Sequence, residues 1–413
     1  MSPRLICLFG VGVFIAIAWA ISSNRRAFPV RVVIGGLLLQ FTLALLLLKT
    51  WVGTEVMEVV GGVFVATLGC VQAGSGFVFG GAADPSFNDN LLRVFAFNVL
   101  PTIIFFSSLM AILYHLGVMQ VLVRALAFVM RYSLGTSGTE TLAAAANVFV
   151  GQTEAPLVIR PYLKTMTVSE LSAMMTGGFA TVAGGVLAAY AGMGIDVRHL
   201  LTASLVSAPA ALLIAKVMVP DDPDRVASDE QPIAMDTTEQ NVVGAAVAGA
   251  SEGMKLAINV AAMLIAFMAL IALIDLGLAT VSGWAGWVDA ENNPTVSLAV
   301  ILGYVCWPLA WLLGIPPSEC LEAGGLIGIK TVANEFVAFL SLSTSETLSP
   351  RSVTVLTYAL CGFSNFASVG IVVGGVGALE ESRRDDLAKY ALRCMIGGVL
   401  ACCMTGAIVG VLL

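Results

Sequence analysis

Charge is what this 413-residue chain has least of: Asp, Glu, Lys and Arg together make up 11% of it, against about 25% in an ordinary soluble domain. Histidine is scarcer still, with only His115 and His199, and neither sits in a His/Cys cluster, so a catalytic metal is not expected. The eight cysteines contain no CxxC pair; lying mostly in apolar stretches, they read as small packing residues. Basic residues do not prevail either: a formal net charge of -7 disfavours nucleic acid as a partner, because neutralising phosphates needs an excess of grouped Lys and Arg. The stretch Gly324-Gly325-Leu326-Ile327-Gly328-Ile329-Lys330-Thr331 imitates a phosphate loop, but Ile329 separates the glycine from the lysine, so no ATP-driven engine is visible.

What the chain has instead is apolar residues: 58% AVILMFWYC and a mean hydropathy of +0.94. This composition indicates an all-α polytopic membrane protein. Runs near the ~20 residues that cross a bilayer occur at 5–21, 32–48, 94–114, 171–191, 200–218, 256–276, 353–376 and 390–413, which predicts eight transmembrane helices. The first imitates a signal peptide through Ala18-Trp19-Ala20, but a single preceding Arg and the bulky Ile21 favour a retained helix. Arg25, Arg26 and Arg31 place the first loop in the cytoplasm, and the same count puts Arg124, Arg131, Arg160, Lys164, Arg383, Arg384, Lys389 and Arg393 inside. The acidic, proline-containing stretch 220–252 then falls inside as a linker between halves.

Two segments, 135–164 and 318–346, are too long for loops and too polar for spans. Each has an apolar run, a polar break and a second apolar run, the pattern of a re-entrant hairpin lining a pathway. Gly178-Phe179 and Gly362-Phe363 are 184 positions apart, and Glu154 and Glu335 are 181 apart. The halves therefore read as an inverted repeat with opposed hairpins, each glycine-phenylalanine pair opening a span. The offset makes 118–131 and 302–312 interfacial helices, and 57–71 is read as another.

Chemistry is expected at the breaks. A carboxylate at the bilayer centre costs about 2.5–3.5 kcal/mol on insertion scales, so Glu154 and Glu335 need an offsetting partner. It is either a structural ion pair, with Lys330 or Arg160, or a bound solute. Asn147, Gln152 and Thr153 crowd around Glu154, broken by Gly151 and Pro156, while Asn365 and Ser368 lie three apart on one helix face. Amide, hydroxyl and carboxylate groups together suit a neutral solute rich in hydroxyls and ring nitrogens. Phe363 and Phe366 are either stacking surfaces for a ring or plain packing.

The stretch Gly151-Gln152-Thr153-Glu154-Ala155-Pro156-Leu157-Val158-Ile159-Arg160-Pro161-Tyr162-Leu163 resembles the signature of the concentrative nucleoside transporters. Further similarity runs through 97–101, 177–190, 199–209, 328–339 around Asn334-Glu335-Phe336, and 358–366. The resemblance implies sodium-coupled import of nucleosides such as uridine across a bacterial inner membrane by a homotrimer, not an enzyme. It assigns the nucleobase to Gln152, Thr153 and Glu154 with Val186 and Phe363 packing beside it, and the ribose to Glu335, Asn365 and Ser368. Sodium, the co-transported ion, falls to Asn147 and Thr181 with the carbonyls of Val150 and Val182. Gly185 departs from the bulkier residue usual in the family, which touches the sodium geometry. Proton coupling through a glutamate is the alternative drive. The implied organisation is scaffold helices in 1–117, a first repeat in 118–219, the linker in 220–255, a scaffold span and loop in 256–297, and a second repeat in 298–413.

Overall fold

The computed structural model describes residues 2–79, 95–152, 154–222, 241–288 and 295–413. Thr153 and residues 223–240 of the acidic linker lie outside the described residues. The chain opens with α1 (Pro3–Ala20), α2 (Val30–Lys49), α3 (Trp51–Phe79) and α4 (Phe95–His115). A six-helix series follows: α5 (Val118–Leu134), α6 (Gly138–Asn147), α7 (Ala155–Val158), α8 (Val168–Ala180), α9 (Gly184–Gly192) and α10 (Val197–Met218). After the long α11 (Val242–Ala285) the series returns as α12 (Leu298–Leu312), α13 (Cys320–Val332), α14 (Glu335–Ser343), α15 (Pro350–Leu360), α16 (Phe366–Leu379) and α17 (Arg384–Leu412). Val168 and Pro350, like Gly184 and Phe366, are 182 positions apart, so the repeat read from two short strings extends through whole helices.

Contacts between helix ends fix the direction of the chain. The Arg4 guanidinium donates to Leu413 O and Ser23 N–H to Met218 O, so α1 starts where α17 finishes and ends where α10 finishes. The Arg351 guanidinium at the start of α15 donates to Gly410 O near the end of α17, and Gly377 in α16 packs on Arg384 at the start of α17. The α15–α16 pair therefore joins the two ends of the bundle, as α8–α9 does in the first repeat.

The two hairpins enter from opposite ends. Ser137, before α6, donates its hydroxyl to Glu170 at the start of α8 (2.6 Å), so the first hairpin begins and finishes together. Both helices start on a reciprocal cap: Ser137 N–H donates to Glu140 and Thr167 N–H to Glu170, each at 2.8 Å. In the second repeat Ser349, before α15, donates to Glu319, before α13 (3.0 Å), at the other end of the bundle. The glycines that imitated a phosphate loop have a packing role: a Cβ on Gly324, Gly325 or Gly328 would come within 2.9 Å of Gly303, Ala299 or Leu302 on α12. They let two helices approach backbone to backbone, the usual use of small residues in apolar surroundings.

Three sequence expectations are revised. The spans at 171–191 and 353–376 are not continuous: Thr181 takes an extended conformation (φ -122°, ψ 172°) and the chain leaves the helix again over 361–365. The glycine-phenylalanine pairs consequently stand at breaks, Gly178-Phe179 just before one and Gly362-Phe363 inside the other, instead of opening spans. The span at 256–276 is the middle of a 44-residue helix, about 66 Å long, whose capped start absorbs 242–252 from the expected linker. Asn241 caps it by accepting from Gly244 N–H (2.8 Å).

The interfacial placement of α5 follows from its amphipathicity and direction, and that of α3 from its neighbours. α5 leaves α4 at 78° and presents Arg124 and Arg131 outward. α3 is 29 residues long and apolar enough to cross a membrane, yet it packs on Leu46 near the end of α2 through Gly53. It also pairs Glu58 with Arg198 at the start of α10 (3.6 Å) and sets Phe79 on Phe97 near the start of α4 (4.8 Å). These neighbours share one end of the bundle, so α3 starts and finishes on one side.

Candidate functional site

The two unwound segments meet at the centre. Phe363 N–H donates to Thr181 O (3.3 Å). Gly362 permits the approach, since a Cβ there would lie 2.6 Å from Cys402 Sγ and 2.9 Å from Phe179 O. Each hairpin brings its tip to this crossing. At the first, Gly184 N–H donates to Phe149 O (3.1 Å), and Gln152 lies over Gly178, where a Cβ would come within 2.8 Å of Gln152 Cβ. Glu154 folds back to accept a hydrogen bond from Gly151 N–H, which fixes the tip without using a second element. Gln152 Oε1 is buried with no hydrogen-bond partner among the described residues.

The second tip is built on capping. Asn334 accepts from Val337 N–H (3.0 Å) and starts α14, which places Glu335 in its first turn, where the helix dipole favours an anion. Glu335 is 3% exposed and holds two neutral donors: Tyr190 OH from α9 at 3.0 Å and Asn365 Nδ2 at 2.9 Å. Asn365 in turn accepts from Ser368 N–H (2.8 Å), starting α16. Three expected residues, Glu335, Asn365 and Ser368, therefore form one connected group. Val186, on α9 one turn before Tyr190, is buried beside it, while Phe363 is half-buried at the crossing.

The ion-pair alternative fails. Among the described residues neither Glu154 nor Glu335 has a Lys or Arg nitrogen within 4.0 Å. Lys330 donates instead to Ala359 O (2.9 Å), and Arg160 is exposed. Among the described residues the buried ion pair joins Glu140 to Lys216 at 2.6 Å, both 1% exposed. It sits at the entry end of the first hairpin, with Asp221 and Ser169 also on Lys216.

Asn147 closes α6 against the last turn of α8. Its Nδ2 lies 3.2 Å from where a Cβ on Gly177 would stand, and both amide atoms are buried without a partner among the described residues. Thr181 donates Oγ1 to Gly177 O (2.9 Å). Val150 is half-buried and Val182 buried on the two sides of this contact. An unused amide oxygen among backbone carbonyls suits a small hard cation.

Sequence reasoning missed Tyr190 and the Glu140–Lys216 pair. Tyr190 gave a signal, being one helical turn from Val186; Lys216 gave none, since a lysine near a span's end reads as an interfacial anchor.

Comparison with known proteins matches this architecture. Three family models cover the chain: the Na+ dependent nucleoside transporter N-terminus over residues 9–82, nucleoside recognition (Gate) over 96–196, and the Na+ dependent nucleoside transporter C-terminus over 199–410. An uncharacterized transporter of Haemophilus influenzae is 44% identical over 98% of this chain and 97% of its own length. Sodium/nucleoside cotransporter 1 of Homo sapiens is 38% identical over 99% of this chain, which spans 64% of that longer protein. Among solved structures, CNTnw in an inward-facing substrate-bound state superposes with a TM-score of 0.91 at 40% identity, covering 99% of this chain and 98% of that one. A doubly substituted CNTnw in an outward-facing state gives 0.93 at 39%, covering 99% and 97%. The chain is a multi-pass membrane transporter, not an enzyme, and belongs to the sodium-dependent, concentrative nucleoside transporter family.

Proposed function

We propose that this chain imports nucleosides, uridine among them, together with sodium, and that the nucleoside binds between the two hairpin tips. The observation that carries the reading is Glu335: a buried carboxylate held by two neutral donors, Tyr190 and Asn365, with lone pairs left for sugar hydroxyls. Ser368 completes the ribose side. Gln152, Thr153 and Glu154 read the base, with Val186 and Phe363 as its apolar walls; the unused Gln152 Oε1 supports this, since an unpaired buried acceptor is costly unless a ligand fills it.

Sodium binds at Asn147 and Thr181 with the carbonyls of Val150 and Val182. Binding there orders the unwound end of α8 and joins it to the first hairpin, which couples ion to nucleoside by linkage. One charge crossing 100 mV supplies about 2.3 kcal/mol, enough for roughly fifty-fold accumulation.

The hairpins re-enter the membrane from opposite faces and move with their broken helices against a scaffold. The pairing of α4 with α11 supports such a scaffold: Gly249 and Gly253 pack directly on 103–111 of α4, and α11 leaves Ile265, Leu273 and Leu276 exposed. Those apolar faces suit a homotrimer contact, to be tested by the mass of the purified protein in detergent. The transport reading is tested by uridine uptake at fixed pH with choline in place of sodium. Uptake falls to background if the reading holds, and unchanged uptake overturns sodium coupling.

A further inference from the structure

The broken helices α8 and α15 occupy the same place in the two repeats but end against different chemistry. The last turn of any helix leaves carbonyls without intrahelical donors and carries the negative end of the dipole, so a cation is favoured there. At α15 that cation is built in. Lys330, on the first arm of the second hairpin, is 1% exposed and donates Nζ to Ala359 O, one residue before the end of α15, at 2.9 Å. Among the described residues no carboxylate oxygen lies within 4.0 Å of it. A buried ammonium without a directly paired carboxylate is costly; it is held here by the carbonyl, by the dipole and by the longer-range attraction of Glu335 on the same hairpin.

At α8 no basic residue stands in the last turn. The side chain reaching that turn from the first hairpin is Asn147, neutral, fully buried, and with both amide atoms unpartnered among the described residues. It abuts Gly177. Gly177 and Ala359 are 182 positions apart, the same offset that relates Val168 to Pro350 and Gly184 to Phe366. The two hairpins thus reach equivalent turns of equivalent helices, one with an amide and the other with an ammonium.

We propose that Lys330 is a resident cation in the second repeat's counterpart of the sodium site, so that each transport cycle requires one free cation and not two. The inference rests on the sodium site assigned above to Asn147 and Thr181. Lys330 keeps the second hairpin latched to α15 at all times, whereas the first hairpin is latched to α8 only while an ion is bound. The ion-dependent step is thereby confined to one half of a symmetric fold.

The test uses the full chain in proteoliposomes, with radiolabelled sodium and uridine fluxes measured together for wild type, Lys330→Gln and Lys330→Arg. Wild type is expected to move about one sodium per uridine with a hyperbolic sodium dependence. Lys330→Gln should raise the half-saturating sodium concentration by roughly tenfold to a hundredfold, the worth of a charge-assisted hydrogen bond, and turn the dependence sigmoidal. Lys330→Arg keeps the charge and should keep the hyperbola. A Lys330→Gln protein with the wild-type half-saturation and curve shape overturns the inference. So does a wild type that already moves two sodium ions per uridine, a measurement that stands even where Lys330→Gln does not insert. Wild-type uptake indifferent to sodium removes the sodium site and this inference together, so the two failures are told apart.

Discussion

The two repeats share a backbone plan and divide the chemistry between them. In the first, the stretch between α6 and α7 is long, and although Glu154 accepts from Gly151 N–H, both atoms of the Asn147 amide and Gln152 Oε1 have no partner among the described residues. In the second, only Ala333 and Asn334 separate α13 from α14, and the polar groups are engaged. Glu335 holds Tyr190 and Asn365, Asn365 holds Ser368 N–H, and Lys330 holds Ala359. A preorganised half and an unsatisfied half next to each other make a coupled site: the satisfied side presents a fixed surface to the sugar, and the unsatisfied side becomes ordered only when ligands supply the missing contacts.

The largest way to break this contrast is to disturb the satisfied half. Glu335→Gln removes the charge that Tyr190 and Asn365 share, and Asn365→Ala removes a donor and the cap of α16. Each is expected to lower uridine uptake at least about a hundredfold, with membrane insertion and oligomeric mass unchanged, measured as initial uptake rate against protein at the membrane. Next is the unsatisfied half. Asn147→Ala should raise the sodium concentration for half-maximal uptake by roughly tenfold or more while saturating sodium restores most of the rate, a separation that Glu335→Gln does not show.

A smaller effect tests the crossing between halves. Gly362→Ala pushes a methyl toward Cys402 Sγ and Phe179 O and should cost about 1–3 kcal/mol of stability, read as a lower melting temperature in detergent. Gly374→Ala, on α16 in open space, should leave it unchanged. The smallest is Tyr190→Phe, which deletes one neutral donor to Glu335 and is expected to weaken uridine by about two- to tenfold without changing the sodium dependence.

Much of this fold was legible because apolar runs of bilayer length admit few alternatives, and because two carboxylates in an apolar context demand an explanation. Glu154 and Glu335 stood out for that reason, and the 181-residue offset between them pointed to the repeat. The breaks after Ala180 and Leu360 were hidden, since GFATVA and GFSNFA lie inside longer apolar runs, and contact between the two segments is what sets them apart. The length of α11 was masked by its small residues: Gly249 and Gly253 read as linker but serve close packing on α4. Lys330 was weighed as the lysine of a phosphate loop and as an ion-pair partner for the two buried glutamates, one of which, Glu335, is five residues away. Periodicity does not tell whether such a lysine turns toward its own hairpin or the next helix, and its bond to Ala359 depends on tertiary packing.

Glu335 facing the sugar of a nucleoside is the contact on which substrate recognition depends. The most direct measurement compares the affinity of uridine with that of 2′,3′-dideoxyuridine for wild type and for Glu335→Gln. The expected result is that wild type prefers uridine by roughly ten- to a hundredfold and that Glu335→Gln loses most of that preference because the same hydroxyls no longer meet a carboxylate. A Glu335→Gln protein that discriminates as strongly as wild type would contradict the account.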